Sequence, residues 1–237
     1  MELKYSVVIP LKNEEENIVD LVNELEPVMN KLNQPWELIC IDDGSTDKTL
    51  NALKKLAKEK KYLKTLVFSK NFGQSSAFDA GFKAAKGEFV ITLDGDRQND
   101  PADIPKLLEI IESADLVCGH RVNRKDPITK KITSRFANAI RGMLCDDNVN
   151  DTGCSLKVYR LSCLKKIKMF NGMHRFLPAL FKIEGFRIKE VAVNHRERTF
   201  GTTKYNFFNR SFNTISDMLA VRWMKKRHLN YQIKENS

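Results

Sequence analysis

Residues 37–60 read ELICIDDGSTDKTLNALKKLAKEK. Glu37–Ile41 is a short apolar run with β-branched side chains, the pattern of a buried strand, and it stops at the polar loop Asp42-Asp43-Gly44-Ser45-Thr46-Asp47. From Asp47 to Lys60, Leu50, Leu53, Leu56 and Ala57 recur at helical spacing while Lys54, Lys55 and Lys58 fill the other face. Strand, loop and amphipathic helix therefore follow one another within 24 residues. Working outward, the same unit repeats. Strands are expected at Tyr5–Ile9, Lys64–Phe68, Glu88–Leu93 and Asp115–Cys118, and helices at Glu14–Leu32, Gln74–Ala85 and Pro101–Glu112. Such alternation predicts βαβ units and an α/β fold with a mostly parallel sheet flanked by helices. In such sheets functional loops gather at the carboxyl ends of the strands.

Beyond residue 120 the alternation loosens. A basic helix is expected over 128–144, strands over 155–159 and 187–193, and a short helix over 175–183. In the tail, 206–227, Phe208, Phe212, Ile215, Leu219 and Trp223 stand at steps of four, three, four and four, ending in Lys225-Lys226-Arg227. This amphipathic C-terminal helix has two readings, packing on the core or lying on a membrane. With no internal repeat and no low-complexity linker, one domain over 1–206 and a basic tail over 207–237 are expected.

Hydrophobic residues make up 42% and charged residues 30% of the 237, a globular composition that excludes disordered and collagen-like chains. The net charge of +10 is uneven: residues 1–120 carry 15 Lys/Arg and 21 Asp/Glu, and residues 121–237 carry 25 and 9. A half at −6 and a half at +16 point to an anionic partner for the second half: nucleic acid, anionic lipid or a phosphorylated substrate. Helix-turn-helix, zinc-finger and RNP strings are absent, and nucleic acid would leave two acidic loops unexplained. Five scattered cysteines form no framework, which favours reduced thiols in a cytosol. The N-terminus lacks the regions of a signal peptide, and no run approaches the ~18 apolar residues of a membrane span, so peripheral rather than integral membrane contact is expected.

Asp94-Gly95-Asp96-Arg97-Gln98 follows an apolar strand. Oxygen donors on alternate residues there can converge on a hard cation, Mg²⁺ or Mn²⁺; the plain alternative is a polar turn. An EF-hand is excluded by Asn99 and Pro105 at its sixth and twelfth places, and no phosphate-cradling G-x-x-x-x-G-K-[ST] string occurs. In the loop 42–47, Ser45 or Thr46 is expected to cap the following helix with Asp47 in its first turn. Asp42 and Asp43 exceed what a cap requires and suit hydrogen bonding to a base or ribose.

Val8-Ile9-Pro10 with Asn13-Glu14, then Asp42-Asp43-Gly44-Ser45, then Asp94-Gly95-Asp96-Arg97-Gln98 with Pro101, in this order and spacing, resembles the inverting family 2 glycosyltransferases. More narrowly the chain resembles the polyprenyl-phosphate glycosyltransferases of the dolichyl-phosphate mannosyltransferase type. Supporting stretches are Ser69–Gly73, Gly119-His120-Arg121, Ser134–Asn138, Asp151–Cys154 and Arg198 with Gly201–Tyr205, so the likeness covers about residues 5–206.

The resemblance implies a GT-A, Rossmann-like fold, with residues 1–120 as the nucleotide-sugar half and 121–206 as the acceptor half. It implies hexosyl transfer from a nucleotide-diphosphate-sugar to a polyprenyl phosphate, with inversion, in cell-envelope glycan synthesis. The place of action would be the cytosolic face of a membrane, reached by the tail or a membrane-anchoring partner, with no role for nucleic acid. Pro10, Lys12, Glu14, Ile41, Asp42, Asp43, Asp94, Gly95, Asp96 and Gln98 would bind the donor. Asp94, Asp96 and Gln98 would hold Mg²⁺ or Mn²⁺, and Arg121, Ser134, Arg135, Arg198 and Lys204 would contact phosphate. Asp96, Arg121 and Arg135 would be catalytic. Lys12 departs from the Tyr usual there, which leaves guanine and uracil open. A rival acceptor is a sugar hydroxyl, which would need a carboxylate base from Asp126 or the Asp146, Asp147, Asp151 group.

Overall fold

The computed structural model describes residues 2–122, 141–142, 144–145, 149–197, 207–231 and 234. The chain runs β1 (Tyr5–Leu11), α1 (Ile18–Lys31), β2 (Trp36–Asp42), α2 (Thr49–Glu59), β3 (Leu63–Val67), α3 (Gln74–Ala84), β4 (Phe89–Thr92), a 3₁₀ turn (Pro101–Asp103), α4 (Ile104–Ile111) and β5 (Leu116–Arg121). There follow β6 (Lys157–Arg160), α5 (Leu161–Leu164), a second 3₁₀ turn (Met173–Phe176), α6 (Leu177–Ile183), β7 (Ile188–Val193) and α7 (Phe207–Arg227). Seven strands form one sheet in the order β3-β2-β1-β4-β6-β5-β7. Only β6 runs against the rest, antiparallel to both β4 and β5.

Period-two alternation sorts the strand side chains into two layers. Val7, Ile9 and Leu11 of β1 meet α1, α2 and α4, whereas Val8 of β1 and Ile39 and Ile41 of β2 meet α3 and α6. Both faces of the central strands are thus covered, which is why their sequences read as near-continuous apolar runs. On α2, Leu53 and Leu56 are buried and Lys54, Lys55 and Lys58 are exposed, as the spacing requires. One polar exception is Ser6, whose hydroxyl donates to Glu37 Oε1 at 2.7 Å at the amino edge of the sheet, far from the strand ends that carry the loops. Lys64 pairs with the same buried Glu37 carboxylate at 2.6 Å.

The element boundaries differ from expectation where local hydrogen bonds intervene. Residues 14–17 form a turn, with Glu14 O accepting from Asn17 N and Ile18 N, so α1 starts at Ile18. The segment expected as one helix from Pro101 opens as a 3₁₀ turn because the Asp100 side chain accepts from Ala102 N. The helix expected over 128–144 lies almost wholly outside the described residues.

The tail helix divides its faces in a way the stripe alone did not decide. Met218 and Val221 pack against Met173, Phe176, Ala179 and Leu180, while Ile215, Leu219 and Trp223 are 53%, 55% and 64% exposed. The stripe therefore faces outward over 215–223, and the side chains of Phe208 and Phe212 lie outside what is described.

Candidate active site

From β1 the sheet continues to β2 on one side and to β4 on the other, so a crevice opens beyond the carboxyl ends of β1 and β4. Three loops meet there. Asn13 N donates to Ser45 Oγ at 2.9 Å, Thr46 N to Asn13 Oδ1 at 2.8 Å and Glu14 N to Thr49 Oγ1 at 2.8 Å. Lys12 Nζ donates to the Gly44 carbonyl, so the lysine straps the β1 loop to the β2 loop. Gly44, at φ +64°, passes so close to Lys70 that a Cβ would lie 2.5 Å from its carbonyl carbon. Neither Ser45 nor Thr46 caps α2: their hydroxyls serve the loop contacts, Lys48 holds the cap position without a side-chain bond, and the helix starts at Thr49. Asp47 lies before the first turn, where its carboxylate accepts from Thr49 N and Thr49 Oγ1 at 3.0 and 2.6 Å.

The two carboxylates of the β2 loop are both buried. Asp42 Oδ1 accepts from Ser45 N at 3.0 Å, and Asp43 Oδ1 accepts from Phe72 N at 2.7 Å while its Oδ2 accepts from Gly73 N at 3.0 Å. Asp43 thereby anchors the entry to α3. Ile41 is wholly buried in the layer against α3, which leaves its backbone as the part that can meet a ligand. Pro10 and Glu14 are half-buried beside the crevice. Gly95 allows the β4 loop to close on β1, since a Cβ there would stand 2.4 Å from Leu11 Cδ2.

Asp94 and Asp96 share this loop. Burial, and then the neighbouring Asp96 charge, push the Asp94 carboxyl up to about 6; Ser155, Lys157 and Arg121 act in the opposite direction. Gln74 Nε2 donates to Asp94 Oδ1 at 3.0 Å from the first residue of α3, and Asp94 N donates to Asn99 Oδ1 at 3.2 Å. Ser155 Oγ donates to the same Asn99 oxygen at 2.7 Å. Asp96 Oδ1 accepts from Gln98 N at 3.1 Å, folding the loop back on itself.

Among the described residues no group of three or more His, Cys, Asp and Glu forms a ready cage for a metal ion. The donor set here is smaller and harder: two carboxylates and the Gln98 amide. It fits a divalent cation that keeps coordination places for water and substrate oxygens.

Arg121 ends β5 at the same edge. Its Nε and Nη2 donate to Asp151 Oδ2 and Oδ1 at 2.7 and 2.8 Å, a two-pronged pair. Burial pushes Asp151 up, but Arg121 outweighs it and holds the carboxyl down at about 2. Ser134, Arg135, Arg198 and Lys204 lie outside the described residues.

The sequence does not single out several residues of the site, and it offers Asp151 only as a candidate base, not as the partner of Arg121. Lys157, the first residue of β6, is buried, and its ammonium donates to the carbonyls of Cys154 and, at 3.3 Å, Thr152. A lysine directly before the apolar pair Val158-Tyr159 was the available signal. Gln74, Asn99, Asp151 and Ser155 act through contacts 20 to 63 residues away along the chain, which no local pattern reveals.

The model of the Glycosyl transferase family 2 matches residues 6–168. The chain is 41% identical over 230 residues to a dodecaprenyl-phosphate galacturonate synthase of Rhizobium johnstonii, covering 94% of this chain and 68% of the relative. It is 36% identical over 217 residues to an undecaprenyl-phosphate 4-deoxy-4-formamido-L-arabinose transferase of Pectobacterium atrosepticum, covering 91% and 66%. It thus spans about two thirds of the length of these curated relatives. Their sugars are galacturonate and a formamido pentose, so the expected likeness to mannosyltransferases in particular does not carry over. Among solved structures, the fold matches glucosyl-3-phosphoglycerate synthase of Mycobacterium tuberculosis, described in complex with Mn²⁺ and UDP-glucose, at TM-score 0.70 and 20% identity over 93% of this chain and 79% of that one. A GT-A sheet with the acidic loop at its switch point, a family model over residues 6–168 and relatives at this identity agree: the chain belongs to glycosyl transferase family 2.

Proposed function

We propose that the chain transfers a sugar from a nucleotide-diphosphate donor to a polyprenyl phosphate, with inversion, at the cytosolic face of a membrane. The reading treats residues 1–206 as the catalytic unit and 207–237 as a basic tail. The observation that carries it is the convergence of Asp94 and Asp96 with the Arg121–Asp151 pair at one strand edge, beside relatives named for polyprenyl-phosphate chemistry.

The donor lies over the β1, β2 and β4 loops, against Pro10, Lys12, Glu14, Ile41, Asp42, Asp43 and Gly95. Asp94, Asp96 and Gln98 hold Mg²⁺ or Mn²⁺, which when bound neutralises charge on the departing diphosphate. The nucleophile is a phosphate monoester whose second pKa of about 6 leaves it largely ionised at pH 7, so proton abstraction is not the obstacle. Bringing two anions together is, and Coulomb repulsion grows as the site dries. Arg121, locked by Asp151, faces the acidic pair with a permanent positive charge, and Lys157 adds a buried one. Arg135, Arg198, Lys204 and Ser134 complete the phosphate contacts in this reading. A sugar-hydroxyl acceptor would need a base, and Asp151, held at about 2 by Arg121, is ill suited to take a proton near neutral pH.

No helix among the described residues is long and apolar enough to cross a membrane. The outward Ile215, Leu219 and Trp223, with Lys226 and Arg227 beyond them, give α7 the character of an interfacial helix on an anionic leaflet. Asp96→Asn is expected to abolish transfer with the fold intact. Arg135→Ala is expected to raise the KM for lipid phosphate more than that for the nucleotide-sugar. Unchanged turnover in both variants would overturn the site assignment.

A further inference from the structure

Arg97 stands between Asp96 and Gln98, yet its side chain leaves the crevice. Its backbone is left-handed, at φ +60°, a conformation that a residue with a Cβ adopts only when held there. What holds it is α1. Arg97 Nη2 pairs with Glu24 at 2.5 Å and Nη1 with Asp20 at 2.7 Å, the two acids lying four residues apart on one face of the helix. Glu24 has a second arginine. Its other oxygen takes Arg196 Nη1 at 2.6 Å, and Arg196 Nη2 reaches Asp100 at 2.7 Å. Five side chains of alternating sign, Asp20, Arg97, Glu24, Arg196 and Asp100, thus run across α1, the β4 loop and the segment after β7.

The backbone is joined in the same place. Arg196 N donates to Gln98 O at 3.0 Å, Asn99 and His195 form an antiparallel bridge, and Asn194 N donates to Asp103 Oδ2 at 2.6 Å. Gln98 Nε2 approaches Arg196 O at 3.5 Å, and an amide whose nitrogen is so directed presents its oxygen elsewhere. An isolated surface ion pair contributes little to stability. Here one carboxylate is shared by two arginines, one of them in a strained backbone position between two residues of the cation site.

We propose that Glu24 is a positioning residue of the cation site: by pairing Arg97 and Arg196 with its two oxygens it fixes the loop 94–100 against segment 194–196 and sets Asp96 and Gln98 for the metal. The inference rests on the reading that Asp94, Asp96 and Gln98 bind a divalent cation. Its test is direct Mn²⁺ binding in the presence of UDP, followed by the paramagnetic resonance of free Mn²⁺, with thermal unfolding measured in EDTA alongside. Removing a residue that orients metal ligands typically weakens a site ten- to a hundredfold, so Glu24→Gln is expected to loosen Mn²⁺ by roughly tenfold or more with its EDTA Tm nearly unchanged. Arg196→Gln, at a more exposed member, is expected to do the same and carries the test should Glu24→Gln fail to fold. Glu24→Gln combined with Arg97→Gln is expected to cost no more than Glu24→Gln alone, because both act through one pair. Asp20→Asn, at the outer end, is expected to leave Mn²⁺ binding as it was. Lowered Tm with unaltered Mn²⁺ affinity in the Glu24 and Arg196 variants would reduce the network to a structural brace and overturn the proposal. Failure of the wild-type chain to hold Mn²⁺ at all would instead overturn the cation reading, and this inference with it.

Discussion

Asp94 bears the main electrostatic strain of the site. Its carboxyl sits at about 6 because it is buried and faces Asp96, against an ordinary value of 3.8. The folded chain therefore binds this proton more tightly than the unfolded chain does. The sign follows from linkage: this group disfavours the fold increasingly as pH rises from about 4 through 6, and the penalty is full above that. In EDTA at pH 8, Asp94→Asn is expected to be more stable than wild type by about 1–3 kcal/mol, with the gain vanishing towards pH 4. Thermal melts across that range check it; an Asn variant less stable at pH 8 would show that the carboxylate is satisfied without a cation. The acidic loop itself was readable, because Asp94-x-Asp96-x-Gln98 is a local pattern. Its long-range supports were not: Gln74 reaches Asp94 from the first turn of α3, and Ser155 meets Asn99 only once β6 has turned back between β4 and β5. Asp42 and Asp43 show the converse, since residues read as ligand contacts also hold the loops together.

At the scale of elements, hydrophobic periodicity located all seven strands, six of them to within two residues at each end, because both faces of the sheet are buried and apolar runs mark it; β5 runs three residues past its expected end, through the polar His120 and Arg121. Periodicity could not say which face of α7 was in the core. The small face Met218, Val221 has no conspicuous pattern, yet that face packs while Ile215, Leu219 and Trp223 stay exposed. An outward Leu219 and Trp223 lead to a specific expectation for anionic lipid. Leu219→Glu with Trp223→Glu should leave Tm nearly unchanged, since both side chains are more than half exposed. The same pair should largely remove sedimentation with phosphatidylglycerol vesicles, because apolar burial and attraction of the basic end are lost together. Deleting residues 207–237 is a poorer test, since it also strips Met218 and Val221 from the core. Binding unaffected by the two glutamates would assign the stripe another role.

Across the whole molecule, the division into an acidic and a basic half is partly cancelled by folding. Arg160 lies against Glu88, Glu112 and Asp115, Arg187 against Asp115, and Arg196 against Glu24 and Asp100, all pairs between the two halves of the sequence. Some of the +16 therefore fastens β6 and β7 to the acidic half of the sequence, and only the remainder is left for an anionic partner. Charge along the sequence could not apportion its own sum, because pairing partners are set by topology. The chain is incubated with Mn²⁺, undecaprenyl phosphate and UDP-galacturonate or a UDP-formamido-arabinose. The organic-extractable product is then identified and its anomeric configuration read by NMR. The expected product is a sugar joined to the lipid phosphate, inverted relative to the donor and lost with EDTA. Transfer to a carbohydrate hydroxyl, or donor hydrolysis with the lipid phosphate untouched, would contradict it.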